Sequence, residues 1–201
     1  MKTKAFILDD LKKSMTPERF AHTLGVMETA VALAKRYGVD EEKAELAAMV
    51  HDCAKDLPEA EQLNLAREFG ILLDEISVVE TALVHAPLGA ALARIKYGIE
   101  DQDVLRAVRV HTIGDTDMTT LDKIIFLADY IEPGRNFPGV DRLRKAAFED
   151  LDQALILACN STIKHVIDEG GLLHPRMVEA RNYLLLGKLK RGEKCEKKSK
   201  R

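Results

Sequence analysis

The chain has 201 residues, 46% hydrophobic and 31% charged. That is enough for one well-buried domain, too polar for a membrane-spanning chain, and too apolar and mixed for a disordered or collagenous one. The formal net charge of −3 divides unevenly: the closing stretch KLKRGEKCEKKSKR carries +6 and the rest −9, and an acidic body does not read as a nucleic-acid binder.

Three cysteines (Cys53, Cys159, Cys195) form no CxxC pair. This argues against a disulfide scaffold or zinc ribbon and for a reducing cytoplasm. The apolar run Ala5–Leu8 is too short for a signal peptide or membrane anchor. From there the apolar period is helical throughout, with no alternating stretch. Thr16-Pro17 predicts a helix start, and that helix runs to Tyr37 and stops at Gly38. Asp40 caps the next, which carries AELAAMVHDCAK. Pro58 opens a third, ending near Gly70, and a fourth covers about Ser77 to His85. Pro87 begins a fifth, ending at Gly98, and Asp101 caps a sixth through His111. Thr119 or Thr120 opens DKIIFLADYI, stopped by Pro133-Gly134. Asp141 starts another, a long helix spans about Asp150 to Glu169, and the last runs from Pro175 to about Leu189. Short linkers and the lack of repeats predict one all-α domain. The basic tail reads as a solvated, frayed end, with an arm for RNA or another polyanion as the alternative.

Charge stands where packing alone would not place it. Asp129 ends the run Ile124–Ala128, and His51-Asp52 interrupts Ala47–Val50 before Cys53-Ala54. A buried carboxylate must be paired, neutralised or bound to a metal. An Asp–His pair or an exposed helix edge would explain each of these alone. His22 lies inside the first capped helix, and His85, His111 and Asp129 follow on separate helices. The order is H, HD, H, H, D. Imidazoles and carboxylates without thiolate suit one divalent ion such as Fe, Mn, Co or Zn. Such an ion lowers the pKa of its bound water and polarises a phosphoryl oxygen. Lys55, on a continued helix, shares the face of His51-Asp52 and could reach a phosphate. Arg135 follows the Pro133-Gly134 stop as a loop phosphate clamp, and Arg176 stands in the first turn of the last helix, an anion-binding position. An ordinary surface cation is the competing reading for Lys55 and Arg135, and a plain helix-linking turn for the segment with Arg176. His165 reads as structural, and Cys53 as core.

The strings RFAHTLGV, AAMVHDCAKDLP, LVHAPLGA, VRVHTIG, LDKIIFLADYIEPGR and GGLLHPRMVEARN resemble the HD-domain phosphohydrolases. Within them the chain is similar to the YqeK-like symmetrical bis(5′-nucleosyl)-tetraphosphatases, from about Thr16 to Leu189. The resemblance implies a single all-α HD-domain helical bundle over residues 1–189. Its HD core would span about 17–135, and helices over about 141–189 would complete the nucleotide site; the charge pattern, and not the resemblance, marks 190–201 as a basic, disordered tail. It implies hydrolysis of diadenosine tetraphosphate to two ADP at an iron site. His22, His51, Asp52 and Asp129 become the metal ligands. Lys55, Asp56, Leu57, Pro58, His85, His111, Thr112, Asp129, Arg135, Gly171, Leu172, Leu173, His174, Pro175 and Arg176 become the nucleotide contacts. Lys55, His85, His111 and Arg135 are candidate helpers to a metal-bound water. One metal is expected; whether His85 and His111 contact phosphate or hold a second ion stays open, as does a homodimer. The rival expectations are an HD phosphohydrolase of nucleoside monophosphates or cyclic nucleotides, and a non-catalytic nucleotide-binding module. No membrane partner is expected, and no nucleic acid.

Overall fold

The structure, a computed structural model, describes residues 1–192 and is all-α over that range. Eleven helices appear among the described residues: α1 (Lys4–Ser14), α2 (Pro17–Tyr37), α3 (Glu41–Val50), α4 (Glu59–Glu68), α5 (Glu75–Val79), α6 (His85–Tyr97), α7 (Gln102–Val110), α8 (Thr120–Ile131), α9 (Val140–Glu149), α10 (Leu151–Asp168) and α11 (Pro175–Lys190).

The caps are the ones the sequence signals. Thr16, Asp40, Asp101 and Asp150 each accept a backbone N–H of the first turn that would otherwise have no partner. Thr119 and Asp122 form a reciprocal capping box at α8. Gly38 and Gly98 end α2 and α6 in the left-handed conformation.

Four stretches differ from expectation. The segment before Met15 is a helix, α1, capped by Thr3; it buries only Ile7 and Leu11, one turn apart among charges, so its periodic signal is thin. The helix carrying His51-Asp52 ends at Val50, and residues 51–57 continue as turns closed by Cys53 N–H to Val50 O, Lys55 N–H to Asp52 O and Leu57 N–H to Ala54 O. Pro58 disfavours helical backbone at Leu57, which helps end the run there. The expected helix over Ser77–His85 is instead α5, a break at Glu80 and a 3₁₀ turn over Thr81–Leu83. Its last residue, His85, opens α6, where Pro87 fits the first turn.

At the far end, the chain stays folded past the start of the basic stretch. Lys188 is buried, and its ammonium donates to Asp150 Oδ2 (2.7 Å) and Gln153 Oε1 (3.1 Å). Arg191 pairs with Asp152 (3.1 Å). The acidic start of α10 thus holds the basic end of α11. The remainder of the expected frayed tail, residues 193–201 with Cys195, lies outside the described residues.

One apolar cluster runs from Ile7 to Leu184. A smaller one, Ala54, Ala66, Val84 and Leu88, lies under the turns after α3. Helices α2, α3, α6, α7 and α8 pack on one another and bring their polar interruptions to one place.

Candidate metal centre

Helix ends build most of this site. His51 is the C-cap of α3 and His111 the C-cap of α7; His85 follows the 3₁₀ turn. The last carbonyls of a helix have no partner in the ladder. Each of these imidazoles points Nδ1 at the carbonyl three residues before it: Ala48 O at 2.7 Å, Val108 O at 2.7 Å and Ala82 O at 2.5 Å. A carbonyl only accepts, so this geometry puts the proton on Nδ1 and turns Nε2 inward as a lone pair.

The inward atoms converge. His22 Nε2, from α2, lies 3.0 Å from Asp129 Oδ1 and 3.8 Å from Asp52 Oδ2. His51 Nε2 lies 3.5 Å from Asp52 Oδ2 and 4.0 Å from Asp129 Oδ1. His85 and His111 Nε2 lie 3.2 Å from each other, and 3.2 and 3.6 Å from Asp52 Oδ1. His51 and His111 are buried, as is Asp52. His22 Nε2 and His51 Nε2 are buried and have no hydrogen-bond partner. Lone pairs facing carboxylate oxygens are a poor arrangement for protein alone and a good one around a cation. The ligand atoms of His22, His51 and Asp129 lie within 4.8 Å of one another, as do those of His51, Asp52 and His111. The residues present therefore fit a divalent metal of the borderline class.

The electrostatics show the same pull for positive charge, exerted here on the histidines' own protons. Burial opposes ionisation of Asp52 and Asp129, yet facing histidines hold both carboxyls well below the usual carboxylate range. His51 is drawn upward: burial opposes its charge, but Asp52 and Asp129 outweigh it. Burial drives His85 down to about 4, against the pull of Asp52. Burial, then the charge of Asp52, pushes the Cys53 thiol up to about 12, so it is a packed, unreactive thiol, as read from the sequence.

Three cations border the carboxylates. Arg19 Nη1 donates to Asp52 Oδ2 at 2.7 Å, and Arg135 Nη2 donates to Asp129 Oδ1 at 2.6 Å. Lys55 Nζ lies 3.1 Å from His85 Nδ1. Burial lowers the Lys55 ammonium while Asp52 raises it. Although α3 ends before it, the turn at 52–55 still carries Lys55 to the cavity.

The cavity beside these groups measures about 820 Å³. Lys55, His85, His111, Thr112, Asp129 and Arg135, all expected from the sequence, line it. Asp56, Leu57 and Pro58 do not. Asp56 accepts from Thr16 N–H (2.9 Å) and pairs with Arg19 Nε (3.5 Å), Leu57 packs in the smaller apolar cluster, and Pro58 precedes α4. Gly171–Arg176 is not in the cavity wall either: Leu172 N–H donates to Glu80 (3.4 Å), His174 caps α11 and bonds Asp74 Oδ2 (2.9 Å), and Arg176 pairs with Asp115 (3.5 Å).

Sequence reasoning missed several members. Arg19 stands one turn before His22 and opens the string RFAHTLGV, where nothing local singles it out. Tyr130, Phe137, Ser161 and Thr162 line the cavity's other side. His165, read as structural, is exposed and lines the cavity too. Glu132 is buried, with Oε1 3.2 Å from His22 Nδ1. A signal for it does exist in the sequence: a carboxylate at a helix C-terminus opposes the macrodipole and needs another reason to be there.

Comparison with known proteins gives a consistent picture. Residues 19–134 match the HD domain family. A Halalkalibacterium halodurans protein named bis(5′-nucleosyl)-tetraphosphatase, symmetrical, is 47% identical over 88% of this chain and 94% of its own. A Bacillus subtilis protein of the same name is 44% identical over 88% and 95%. A crystal structure from Clostridium acetobutylicum, described as a predicted HD superfamily hydrolase involved in NAD metabolism, superposes with a TM-score of 0.91 at 48% identity; it covers 93% of this chain and 99% of that one. The chain belongs to the HD-domain family, in the branch that holds the proteins named symmetrical bis(5′-nucleosyl)-tetraphosphatase.

Proposed function

We propose that this chain is a metal-dependent hydrolase that splits diadenosine tetraphosphate symmetrically into two ADP. The names of its relatives support the substrate. The observation that carries the chemistry is the buried, unpartnered Nε2 atoms of His22 and His51 facing Asp52 and Asp129. His22, His51, Asp52 and Asp129 are the assigned ligands of one divalent ion, with iron first and Mn, Co or Zn as substitutes. A bound divalent ion lowers the pKa of a coordinated water and polarises a phosphoryl oxygen.

The protein's own groups supply binding and charge. Asp52, Asp129 and Glu132 are matched by Arg19, Lys55 and Arg135, so added metal charge leaves the site attractive to a polyphosphate. Lys55 and Arg135 take phosphate oxygens as charge-assisted donors. His85, His111 and Thr112 line the same cavity and orient the phosphate chain. Residues 17–135 thus supply the metal end, and 141–189 complete the nucleotide end. There the resemblance assigns Gly171–Arg176 to the nucleotide, and Arg176 pairs three residues beyond Thr112, at Asp115. Asp56, Leu57 and Pro58 serve through Arg19 and the 52–57 turn. The free thiols of Cys53 and Cys159 suit a reducing cytoplasm. No helix among the described residues is long and apolar enough to cross a membrane.

Chromatography of products from a nucleotide panel, with Fe, Mn or Co loaded, tests this reading. Two ADP from diadenosine tetraphosphate is the expected result. ATP with AMP would refute the symmetrical cut, turnover of monophosphates or cyclic nucleotides alone would favour another HD phosphohydrolase, and no turnover of any substrate would favour a binding module.

A further inference from the structure

The four inward histidines are not held alike. His51, His85 and His111 stand at helix ends, where a carbonyl of the preceding turn takes Nδ1. His22 stands inside α2, a helix of 21 residues. Interior carbonyls there are used by the helical ladder, so the acceptor for His22 Nδ1 must come from another element. It comes from the end of α8: Glu132 Oε1 lies 3.2 Å away.

Everything around Glu132 is shaped to that purpose. Its residue is 4% exposed. Gly134 N–H donates to Oε2, and Arg135 Nε lies 3.9 Å from Oε1. An ideal Cβ on Gly25 would sit 2.6 Å from Glu132 Oε2, and one on Gly134 would sit 3.0 Å from both oxygens. Gly25 lies inside α2, where glycine costs about 1 kcal/mol relative to alanine. Glu132 sits at the C-cap of α8, where a carboxylate opposes the helix dipole. Two locally unfavourable choices meet at one contact, and the contact explains both.

We propose that Glu132 is the positioning residue for His22. By accepting Nδ1–H it fixes the ring with Nε2 aimed at Asp52 and Asp129, and Gly25 and Gly134 are the space its carboxylate requires. The role for metal rests on the function proposed above; the hydrogen bond itself does not. Carboxylate partners of ligating histidines fix their tautomer and typically contribute about 10- to 100-fold in metal affinity.

The test uses the full chain and two readouts. Nitrogen-15 NMR of the metal-free protein reads the His22 tautomer, and titration with Co²⁺ or Mn²⁺ reads affinity. Wild type should show His22 protonated on Nδ1. Glu132→Ala should lose that signature and bind metal about 10- to 100-fold more weakly. Glu132→Gln keeps one acceptor oxygen for two donors, Nδ1–H of His22 and the Gly134 N–H, so it should fall between wild type and Glu132→Ala in both readouts. Gly25→Ala should weaken metal like Glu132→Ala, because its Cβ displaces the carboxylate. In the Glu132→Ala background the same change should cost nothing further, since the space is empty. If Glu132→Ala does not fold, the contrast between Glu132→Gln and Gly25→Ala carries the test. Wild-type affinity in Gly25→Ala, or an unchanged His22 tautomer in Glu132→Ala, would overturn the proposal. A wild type that shows the tautomer but binds no metal would instead overturn the metal reading and leave the Glu132–His22 bond standing.

Discussion

The HD-bearing turn and the loop before α11 make an instructive pair. Both carry a histidine inside a specific sequence string, HDCAK in one and GGLLHPR in the other. At the first, His51 uses Nδ1 on its own helix end and leaves Nε2 unpartnered, facing two carboxylates. At the second, both ring nitrogens of His174 are spent: Nδ1 accepts Arg176 N–H at 3.2 Å and Nε2 bonds Asp74 Oδ2 at 2.9 Å. Partners on both nitrogens leave His174 no lone pair for a metal, whereas the bare Nε2 of His51 can ligate one. The motif string alone does not separate the two cases, and the hydrogen bonds do.

The largest effect should come from removing a ligand at the first region. Asp129→Ala should lower turnover by about a thousandfold or more, the scale of losing a metal's charge stabilisation. It should leave the helical circular-dichroism spectrum intact, because the change removes a half-buried charge and no core side chain. Normal turnover in this variant would break the contrast at its strong end.

Next come two cations beside the centre that do not own the metal: Arg135, on Asp129, and Lys55, beside His85. Lys55→Ala or Arg135→Ala should keep metal content while kcat/KM falls about 30-fold, near 2 kcal/mol for a charge-assisted contact. Metal loss in step with activity would make them supports of the centre.

At the second region the expected effects are smaller and of a different kind. His174→Ala removes an N-cap and should cost about 1 kcal/mol, or about 3 °C in Tm for a chain of this size, with little change in kcat. Arg176→Ala should instead raise KM and leave Tm nearly unchanged. The reverse pattern would exchange their roles.

The smallest effect is a pH dependence. The hydrogen bond from His174, then the N–H of Ser77, holds Asp74 at about 2. Its folded value is depressed, so its contribution is present above the unfolded value near 4 and fades as pH falls from there toward 2. Asp74 is largely exposed, so the contribution is modest. Melting curves of wild type and Asp74→Asn should differ at pH 6, draw together below pH 4 and converge only below about pH 2.

Much of the fold and of the centre is legible in the sequence. Capping residues and glycine stops locate most helices, because those signals act within one turn of chain. The inward residues His22, His51, Asp52, His85, His111 and Asp129 also stand out, since charge inside apolar runs is conspicuous. What escapes depends on contacts across elements. Arg19 matters only because α2 lies beside the 51–57 turn, and Tyr130, Phe137 and His165 line the cavity only once α10 packs on α8. Helix α1 escapes because two buried residues make a weak period. Glu132 and Gly25 are each visible as local oddities, but only their meeting gives them a meaning.

The proposed activity turns on one divalent ion held where His22, His51, Asp52 and Asp129 converge. Elemental analysis of protein purified without oxygen, paired with His51→Ala, tests it most directly. The expected result is one first-row metal ion per chain in wild type and almost none in the variant. Two ions per chain, an undiminished metal content in His51→Ala, or full turnover by wild type stripped of metal would contradict it.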